Sequence, residues 1–393
     1  MTDPAIHRIQ LKKGKDRAVR NFHPWIFSGA LGRVSDKIQS GDLVDVYAFE
    51  GDFVGRGYYG TSSIAVRLIS FEQEDINPEF WKRQLSKALQ LRKSLGFPSD
   101  RTNAFRWVHG EGDSLPGLVV DVYGHVAVMQ AHHLGIWNAR KEIADAILEV
   151  GQGWLKEVVD KSAETLPGSE NLSVEYIHGE AQSGEIFENG NRFHVHWTEG
   201  QKTGFFLDQR DNRALLAQYA KGRTVLNAYC YSGGFSVYAA KAGASHVDSV
   251  DSSAKAIQWT KENMALNGAS DIHTAITSDV TEFLKKPSGK YDLMVLDPPA
   301  FAKRLSVLEK GLRGYRHINA MAIRAIKPGG ILFTFSCSQA VSQEAFQQVI
   351  FQAAQESRRF VRILHRLSQP ADHPVSIYHP EGFYLKGLVL YVE

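Results

Sequence analysis

The stretch from Thr224 to Asp251 constrains this chain more than any other part of it. Val225-Leu226 opens an apolar run that reads as a buried strand, a turn closes on Ser232-Gly233-Gly234, and Phe235, Val237, Tyr238 and Ala239 begin a helix. His246 to Val250 form a second strand, which ends on an acid, Asp251. Strand, glycine turn, helix, strand and acid make half of a doubly wound parallel sheet, with a nucleotide pocket at the strand tips. Asp251 follows the turn at close to the roughly 20 residues expected of a carboxylate that holds ribose hydroxyls. The plain alternative is a strand–turn–helix with an ordinary glycine pair, and the motif alone does not separate the two.

The chemistry of the turn selects among nucleotides. A dinucleotide fold needs G-x-G-x-x-G so that backbone can touch a pyrophosphate. Here Tyr229 and Tyr231 take the places of the first two glycines and crowd that approach. A cofactor with a ribose and no phosphate fits better, and S-adenosylmethionine is the common one. Downstream, a helix from Ala254 to Asn267 stops at Asn267-Gly268, and Ile272 to Thr277 is a third strand with Asp279 just past it. Tyr291 to Leu296 is a fourth, ending in Asp297-Pro298-Pro299-Ala300-Phe301, and Ile331 to Phe335 a fifth, ending in Ser336-Cys337-Ser338. Right-handed crossovers put all the carboxyl ends on one edge, where such folds bind ligands. The cofactor candidates are therefore Asn227, Tyr229, Ser232, Gly233, Asp251, Ser252, Asp279 and Asp297. Phe206, Asp208, Gln209 and Arg210, in the polar and aromatic string before the first strand, read as a wall of the same pocket.

Residues 199–393 hold this Rossmann-like unit, which closes as strand, loop, strand from Phe360 to Val392. Residues 1–72 read as a small β-rich module, with strands over Asp42 to Tyr47, Phe53 to Tyr59 and Ile64 to Ile69 and glycine turns that suggest a barrel. Its opening is basic, and Lys12, Lys13, Lys15 and Arg17 are candidate phosphate contacts, against the bland reading of a solvated surface. Residues 73–198 form a central α+β domain. Asn77-Pro78 caps a helix that runs to about Leu95 with Trp81, Leu85, Ala88 and Leu89 on one face, and a second helix lies near Ile136 to Val150. Its adjacent His132 and His133 would point to opposite faces of a strand and make a poor metal pair, so a scaffold or substrate-shaping role is preferred. Leu166-Pro167-Gly168-Ser169 reads as a loop.

A formal net charge of +2 leaves any nucleic-acid affinity to local patches. Two cysteines, Cys230 and Cys337, exclude a disulfide framework or a four-cysteine zinc site, and no metal is expected. No apolar run reaches roughly 18 residues and the N-terminus is polar, so neither a membrane span nor a secretory signal is expected, and the protein reads as cytoplasmic.

His23-Pro24-Trp25-Ile26-Phe27-Ser28, followed by Gly41-Asp42-Leu43-Val44-Asp45-Val46-Tyr47, resembles the N-terminal PUA domain of a bacterial RNA methyltransferase family. With Q-K-T-G-F-F-L-D-Q-R, D-P-P-A-F and S-C-S, the chain is similar over all three regions to the large-subunit rRNA cytosine-5 methyltransferase I family. The resemblance implies an α/β, Rossmann-like class I methyltransferase domain preceded by an RNA-binding PUA barrel and a central α+β domain. It implies S-adenosylmethionine as cofactor and rRNA as partner, with no membrane, and leaves a homodimer open.

Carbon 5 of a pyrimidine is a weak nucleophile, and a thiolate that adds to carbon 6 makes it enolate-like. Cys337 at its strand end fits that role, against the alternative of a small buried apolar residue. Cys230 in the cofactor turn reads as core or pocket wall. Asp297 would hydrogen-bond the ring nitrogen, against the alternative of a helix cap before Pro298; Asp279 would accept from the adenine amino group. Where many cytosine-5 RNA methyltransferases carry a second cysteine, this chain has Ala300. Either another base removes the carbon-5 proton or the scheme resembles that of uridine-5 enzymes, so cytosine and uracil both stay open. The target base must be unpaired or flipped out. Lys303 and Arg304, with Lys310, Arg313 and Arg316 after them, read as phosphate contacts or as a solvated basic helix. Two rivals remain. One is an amino-group methyltransferase, whose [DN]-P-P-[YF] motif D-P-P-A-F approaches with its aromatic one place late. The other is an RNA-binding assembly factor without activity, against which Asp251, Asp297 and Cys337 argue.

Overall fold

Short apolar runs alternating with helices in the C-terminal half build one sheet. Its strands are β1 (Thr224–Ala228), β2 (His246–Asp251), β3 (His273–Thr277), β4 (Leu293–Leu296), β5 (Gly330–Ser336), β6 (Val361–Leu367) and β7 (Lys386–Val392). Their order across the sheet is β3-β2-β1-β4-β5-β7-β6. The first five are parallel, and β7 enters antiparallel between β5 and β6. The computed structural model describes residues 6–166, 173–285, 289–302 and 304–393. These fall into two compact units, of which this sheet belongs to the one made of Glu185–His194, Phe206–Pro370 and Phe383–Glu393.

The period of two along each strand sorts the core onto two faces, as a sheet covered on both sides requires. Leu226, Met294, Leu296 and Leu332 pack on one side, and Val225, Leu293, Val295, Ile331, Phe333 and Phe335 on the other. Six helices follow in chain order among the described residues of this unit: α1 (Arg210–Ala220), α2 (Gly234–Lys241), α3 (Ala254–Leu266), α4 (Val280–Leu284), α5 (Leu308–Ala325) and α6 (Gln343–Ser357). Leu216 and Ala220 of α1 and Phe235 and Ala239 of α2 cover the second face; Ile318, Ala322, Phe346 and Ile350 of α5 and α6 cover the first. Caps set where the helices begin: the side chains of Ser253, Asp279 and Ser342 accept from the backbone N–H of Ala256, Glu282 and Ala345.

A ribbon of Gly184–Glu188 and Asn191–Val195 precedes the sheet, turned by Asn189-Gly190 with positive φ at both residues. Its Glu188 is fully buried and takes the Arg213 guanidinium through two bonds of 2.8 and 2.7 Å, with the Tyr238 hydroxyl donating at 3.0 Å. This ion pair ties the ribbon to α1 and α2.

The other unit comprises the residues through Gly184, with Val195–Phe205 and Ala371–Gly382. Its first sheet orders His7–Gln10, Leu43–Tyr47, Phe53–Tyr59, Ile64–Ser70 and Trp25–Phe27, and an antiparallel bridge of Leu11 with Leu31 closes it toward the expected barrel. The second orders Glu175–His178, Glu157–Asp160, Val126–Ala131, Leu118–Tyr123 and Ala104–His109. The helix Pro78–Ser94 packs against it, capped by Asn77 as the Asn-Pro pair predicts.

Two expectations are corrected. The helix over Ile136 to Val150 is two, Leu134–Asn138 and Arg140–Val150, which meet at Ala139. His132 and His133 lie beyond the strand end at Ala131, and His133 sits at the start of the following helix with Nε2 3.0 Å from the Pro116 carbonyl oxygen. The terminal β6–β7 pair is antiparallel, as the closing pattern of strand, loop and strand suggests, and Ala371–Gly382 of its connection belongs to the other unit. There the Asp372 carbonyl oxygen accepts from the buried Arg92 at 2.7 Å and its carboxylate from the Arg106 backbone N–H at 3.0 Å. The loop expected at Pro167, Gly168 and Ser169 lies outside the described residues.

Removing one member of a buried ion pair strands the other charge in a low-dielectric site. Glu188→Ala should destabilise its unit by about 3–5 kcal/mol in chemical denaturation. A change below about 1 kcal/mol would mean that Arg213 finds another partner or water at little cost.

Candidate active site

At the end of β1 the chain turns through three left-handed residues, Tyr229 (φ 61°), Tyr231 (φ 48°) and Gly233 (φ 82°). Glycine takes this conformation freely, whereas a tyrosine pays roughly 1–2 kcal/mol and needs neighbours that hold it there. Those neighbours are present. The Tyr231 N–H donates to Asp251 Oδ2 at 3.1 Å, and the Thr260 hydroxyl donates to the Tyr231 carbonyl at 2.7 Å. Phe206 meets the Tyr231 ring edge to face at 5.1 Å. Asp251 Oδ1 accepts from the Ser253 N–H at 2.9 Å, so each carboxylate oxygen spends one lone pair on backbone and keeps another for an incoming hydroxyl.

Tyr229 gathers the other acids. Burial pushes its hydroxyl up to about 12, and the carboxylates of Asp279 and Asp251 add to that. It therefore stays neutral, within electrostatic reach of both acids. Asp279 is exposed and caps α4 through the Glu282 N–H at 3.0 Å. Ser252 is exposed beside Asp251. Two buried acceptors in this region have no hydrogen-bond partner, Ser232 Oγ and Asn227 Oδ1. The Asn227 amide donates to Ser236 Oγ at 2.8 Å, which turns its side chain into the packing of β1 on α2.

The ends of β4 and β5 form the second part of the site. Asp297 Oδ2 accepts from Gln209 Nε2 at 2.9 Å, and Gln209 Oε1 accepts from Asn212 Nδ2 at 2.6 Å. The chain Asn212–Gln209–Asp297 thus fixes which way the Gln209 amide and the carboxylate face. No helix starts at Pro298, since residues 297–302 are non-helical, which sets the capping alternative aside. Asp208 accepts from the Tyr384 hydroxyl at 2.7 Å, and the Arg210 guanidinium lies 3.6 Å from Glu188. Of the four upstream residues, Phe206 reaches the turn, Gln209 reaches Asp297, Asp208 faces Tyr384, and Arg210 is set against the buried glutamate.

Cys337 is half-buried, with Sγ 4.0 Å from the Pro298 carbonyl oxygen, so the thiol and the Asp297 loop lie side by side. Ser338 holds that loop in place. Its hydroxyl accepts from the Ala302 N–H at 3.1 Å and lies 2.8 Å from the Tyr315 hydroxyl. Cys230 differs: it is buried, its Sγ lies 3.6 Å from Thr260 Oγ1, and burial pushes its thiol far up, which keeps it inert.

Sequence reasoning missed Asn212, Tyr315, Tyr384 and Lys386. Lys386 is buried, opposes Ser336 across the β5–β7 pair, and donates to the Ser338 carbonyl oxygen at 2.7 Å. A lysine opening an otherwise apolar terminal strand, K-G-L-V-L-Y-V, was the available signal. Among the basic candidates, Lys13, Lys15, Arg17 and Arg304 are exposed, and the exposed Lys12 donates to the Gly29 carbonyl at 3.2 Å. Lys303 lies outside the described residues. No group of three or more His, Cys, Asp or Glu side chains among the described residues is set to hold a metal ion.

Comparison with known proteins gives the family and the fold. Residues 167–382 match the S-adenosylmethionine-dependent methyltransferase family, and residues 9–71 match a PUA-like domain. The chain is 40% identical to ribosomal RNA large subunit methyltransferase I of Shewanella denitrificans, covering 97% of this chain and 98% of that protein. The protein of the same name from Alteromonas mediterranea is also 40% identical, with the same coverage. Among solved structures, one from Streptococcus mutans assigned as a S-adenosylmethionine-dependent methyltransferase has a TM-score of 0.85 at 22% identity, covering 98% of this chain and 100% of that one. SMU.776, complexed with SAH, has a TM-score of 0.85 at 21% identity over the same shares of the two chains, which shows a common fold.

A Cβ added at Gly233 would lie 2.8 Å from Thr260 Cγ2 on a backbone already at positive φ. Gly233→Ala should cost more than about 1 kcal/mol in thermal or chemical unfolding. An unchanged midpoint would show that the turn relaxes without strain.

Proposed function

This chain belongs to the ribosomal RNA large subunit methyltransferase I family of S-adenosylmethionine-dependent enzymes, and on that premise we propose that it makes 5-methylcytidine in large-subunit rRNA through a covalent adduct of Cys337. The observation that most supports this reading is the adjacency of two strand ends, with the half-buried Cys337 thiol against the backbone of the Asp297 loop.

The residues around the β1 turn suit the cofactor. Asp251 would take the ribose hydroxyls on its remaining lone pairs, Asp279 the adenine amino group, and the buried Ser232 hydroxyl, with Gly233 beside it, the amino-acid end. S-adenosylmethionine supplies an activated methyl group on a sulfonium. The protein's part is to make carbon 5 nucleophilic. The Cys337 thiolate adds to carbon 6, forming an S–C bond, and the displaced π pair runs to carbon 5 and the ring. A proton at the ring nitrogen, shared with Asp297, neutralises the charge that builds there. Carbon 5 then takes the methyl group, its proton leaves to a base, and the returning pair expels the thiolate. Gln209 and Asn212 hold Asp297 ready for this, so little reorganisation is needed when charge develops. Phosphates of the RNA fall to Lys12, Lys13, Lys15 and Arg17 on the PUA-like domain and to Lys303 and Arg304 beside the Asp297 motif. The base enters unpaired or flipped out.

Asp251→Ala should weaken S-adenosylmethionine binding in calorimetry by roughly tenfold to a hundredfold, the value of a hydrogen bond to a charged group. Unchanged affinity would remove Asp251 from the ribose site. Cys337→Ala should abolish methyl transfer to deproteinised rRNA while cofactor binding survives. RNA carrying 5-fluorocytidine at the target should trap the wild-type enzyme as a band stable on a denaturing gel, because fluorine cannot depart as a proton does. An adduct with 5-fluorouridine alone would move the assignment to uracil. An active Cys337→Ala enzyme with no trapped band would replace the covalent route with methylation of an exocyclic amine.

A further inference from the structure

The segment Ala371–Gly382 belongs to the unit of the PUA-like domain and brings Ile377 and Tyr378 there with their side chains in solvent. The Tyr378 ring, 51% exposed, meets the Phe22 ring, 53% exposed, at 5.3 Å with the planes inclined by 52°. Phe71 backs Phe22 edge-on at 5.5 Å. Phe22 stands just past the short helix Arg17–Arg20 in left-handed backbone, φ 63°. A bulky residue persists in that conformation only where its surroundings hold it. The helix end does so: the Phe22 N–H donates to the Val19 carbonyl at 2.8 Å and the His23 N–H to the Ala18 carbonyl at 3.0 Å. His379, the neighbour of Tyr378, is buried and packs its ring on Trp25 at 4.3 Å and on His23 at 5.5 Å. Neither of its ring nitrogens has a hydrogen-bond partner among the described residues. Phe27, 48% exposed, lies 6.4 Å from both His23 and Trp25. The His23-Pro24-Trp25-Ile26-Phe27 motif and the returning segment thus build one aromatic belt, edged by three rings that stand half in solvent.

We propose that this belt is a stacking platform for unpaired nucleotides of the RNA, in the unit that does not hold the methyl-transfer site. The inference rests on the rRNA part of the reading above and not on the covalent step. Clustered exposed rings are costly on a surface that meets only water, and they mark a place where something binds. Every base offers a π face, so such rings hold a single strand with little regard to its sequence, provided that cations beside them meet the phosphates. Those cations are present. Arg17 lies on the helix before Phe22 and Lys13 and Lys15 in the turn before that helix, all exposed. The exposed Lys12 is held at the Gly29 carbonyl, two residues past Phe27. The nearby acids are engaged: Asp16 and Asp52 pair with Arg20, and Glu111 accepts from Trp25 Nε1 at 2.8 Å. Glu381 faces the Nε2 atoms of His23 and His379 at 3.6 and 3.8 Å. A partner of protein alone has no need of the basic rim. A duplex hides its bases in a groove that these rings cannot enter, which favours single-stranded RNA.

The test uses the full chain and deproteinised large-subunit rRNA, with affinity read by filter binding over a range of salt. Phe22→Asn removes one ring and keeps a residue that accepts the left-handed turn, and Tyr378→Ala removes the other. Each should weaken binding by about fivefold to a hundredfold, the range that stacking on one ring covers. The slope of log affinity against log salt should stay as it is, because no phosphate contact is lost. Lys13→Ala and Arg17→Ala should flatten that slope instead. Tyr378→Phe, which keeps the ring, should bind as the wild type does, and S-adenosylmethionine affinity should hold throughout. Wild-type affinity in a folded variant carrying both Phe22→Asn and Tyr378→Ala would overturn the proposal. The same variant with unchanged RNA affinity and an altered sedimentation state would overturn it in favour of a protein interface. If that variant does not fold, ultraviolet cross-linking of the wild type decides: nucleotides on the peptides of Phe22 or Tyr378 uphold the platform, and cross-links confined to other peptides overturn it. The covalent reading fails separately, through an active Cys337→Ala enzyme, and such a failure leaves these binding results as they stand.

Discussion

Parallel strands joined by crossovers of one hand deliver their carboxyl ends to one edge, and everything at this site depends on that constraint. β1 brings the left-handed turn, β2 brings Asp251, β4 brings Asp297 and β5 brings Cys337. None of these residues is close to the next in sequence. The sheet converts a spread of more than a hundred positions into two groups of strand ends, which we propose serve a ribose and a base. The antiparallel insertion of β7 beside β5 adds a fifth contribution, because it alone sets Lys386 next to the Cys337 strand end.

Within that frame a few hydrogen bonds carry more than one duty. The Asp251 carboxylate steadies the strained Tyr231 and the Ser253 N–H, and the same oxygens are the acceptors proposed for ribose hydroxyls. The Ser338 hydroxyl pins the Asp297 loop through Ala302 and Tyr315, and the Ser338 carbonyl aims Lys386. Gln209 spends its amide on both Asn212 and Asp297. Substitutions at these positions act on geometry first and on chemistry through it, and the two effects separate only when binding and turnover are measured apart.

Much of this was legible in the sequence because it rests on local patterns. The five parallel strands, the turn, the cap at Asn77, and the strand-end placement of Asp251, Asp297 and Cys337 all follow from period, turn residues and apolar runs. What was not legible depends on pairings between distant segments. Nothing around Glu188 announces that Arg213 will enclose it, since both read as surface charges. Lys386 reads as a strand-edge lysine until its partner strand is known. The departure of Ala371–Gly382 to the other unit is likewise invisible, because the signal is a buried Arg92 that needs the Asp372 carbonyl. His132 and His133 were placed on a strand because alternation carried the reading past Ala131, where the chain in fact bends into a helix.

The central claim is that a thiolate adds to carbon 6 of the pyrimidine so that carbon 5 accepts the methyl group and then surrenders its hydrogen. Release of tritium from rRNA labelled at carbon 5 of cytidine measures that step directly. The account predicts tritium appearing in water in step with methyl transfer by the wild-type enzyme, and none from Cys337→Ala. Methyl transfer with full retention of the carbon-5 tritium would contradict it.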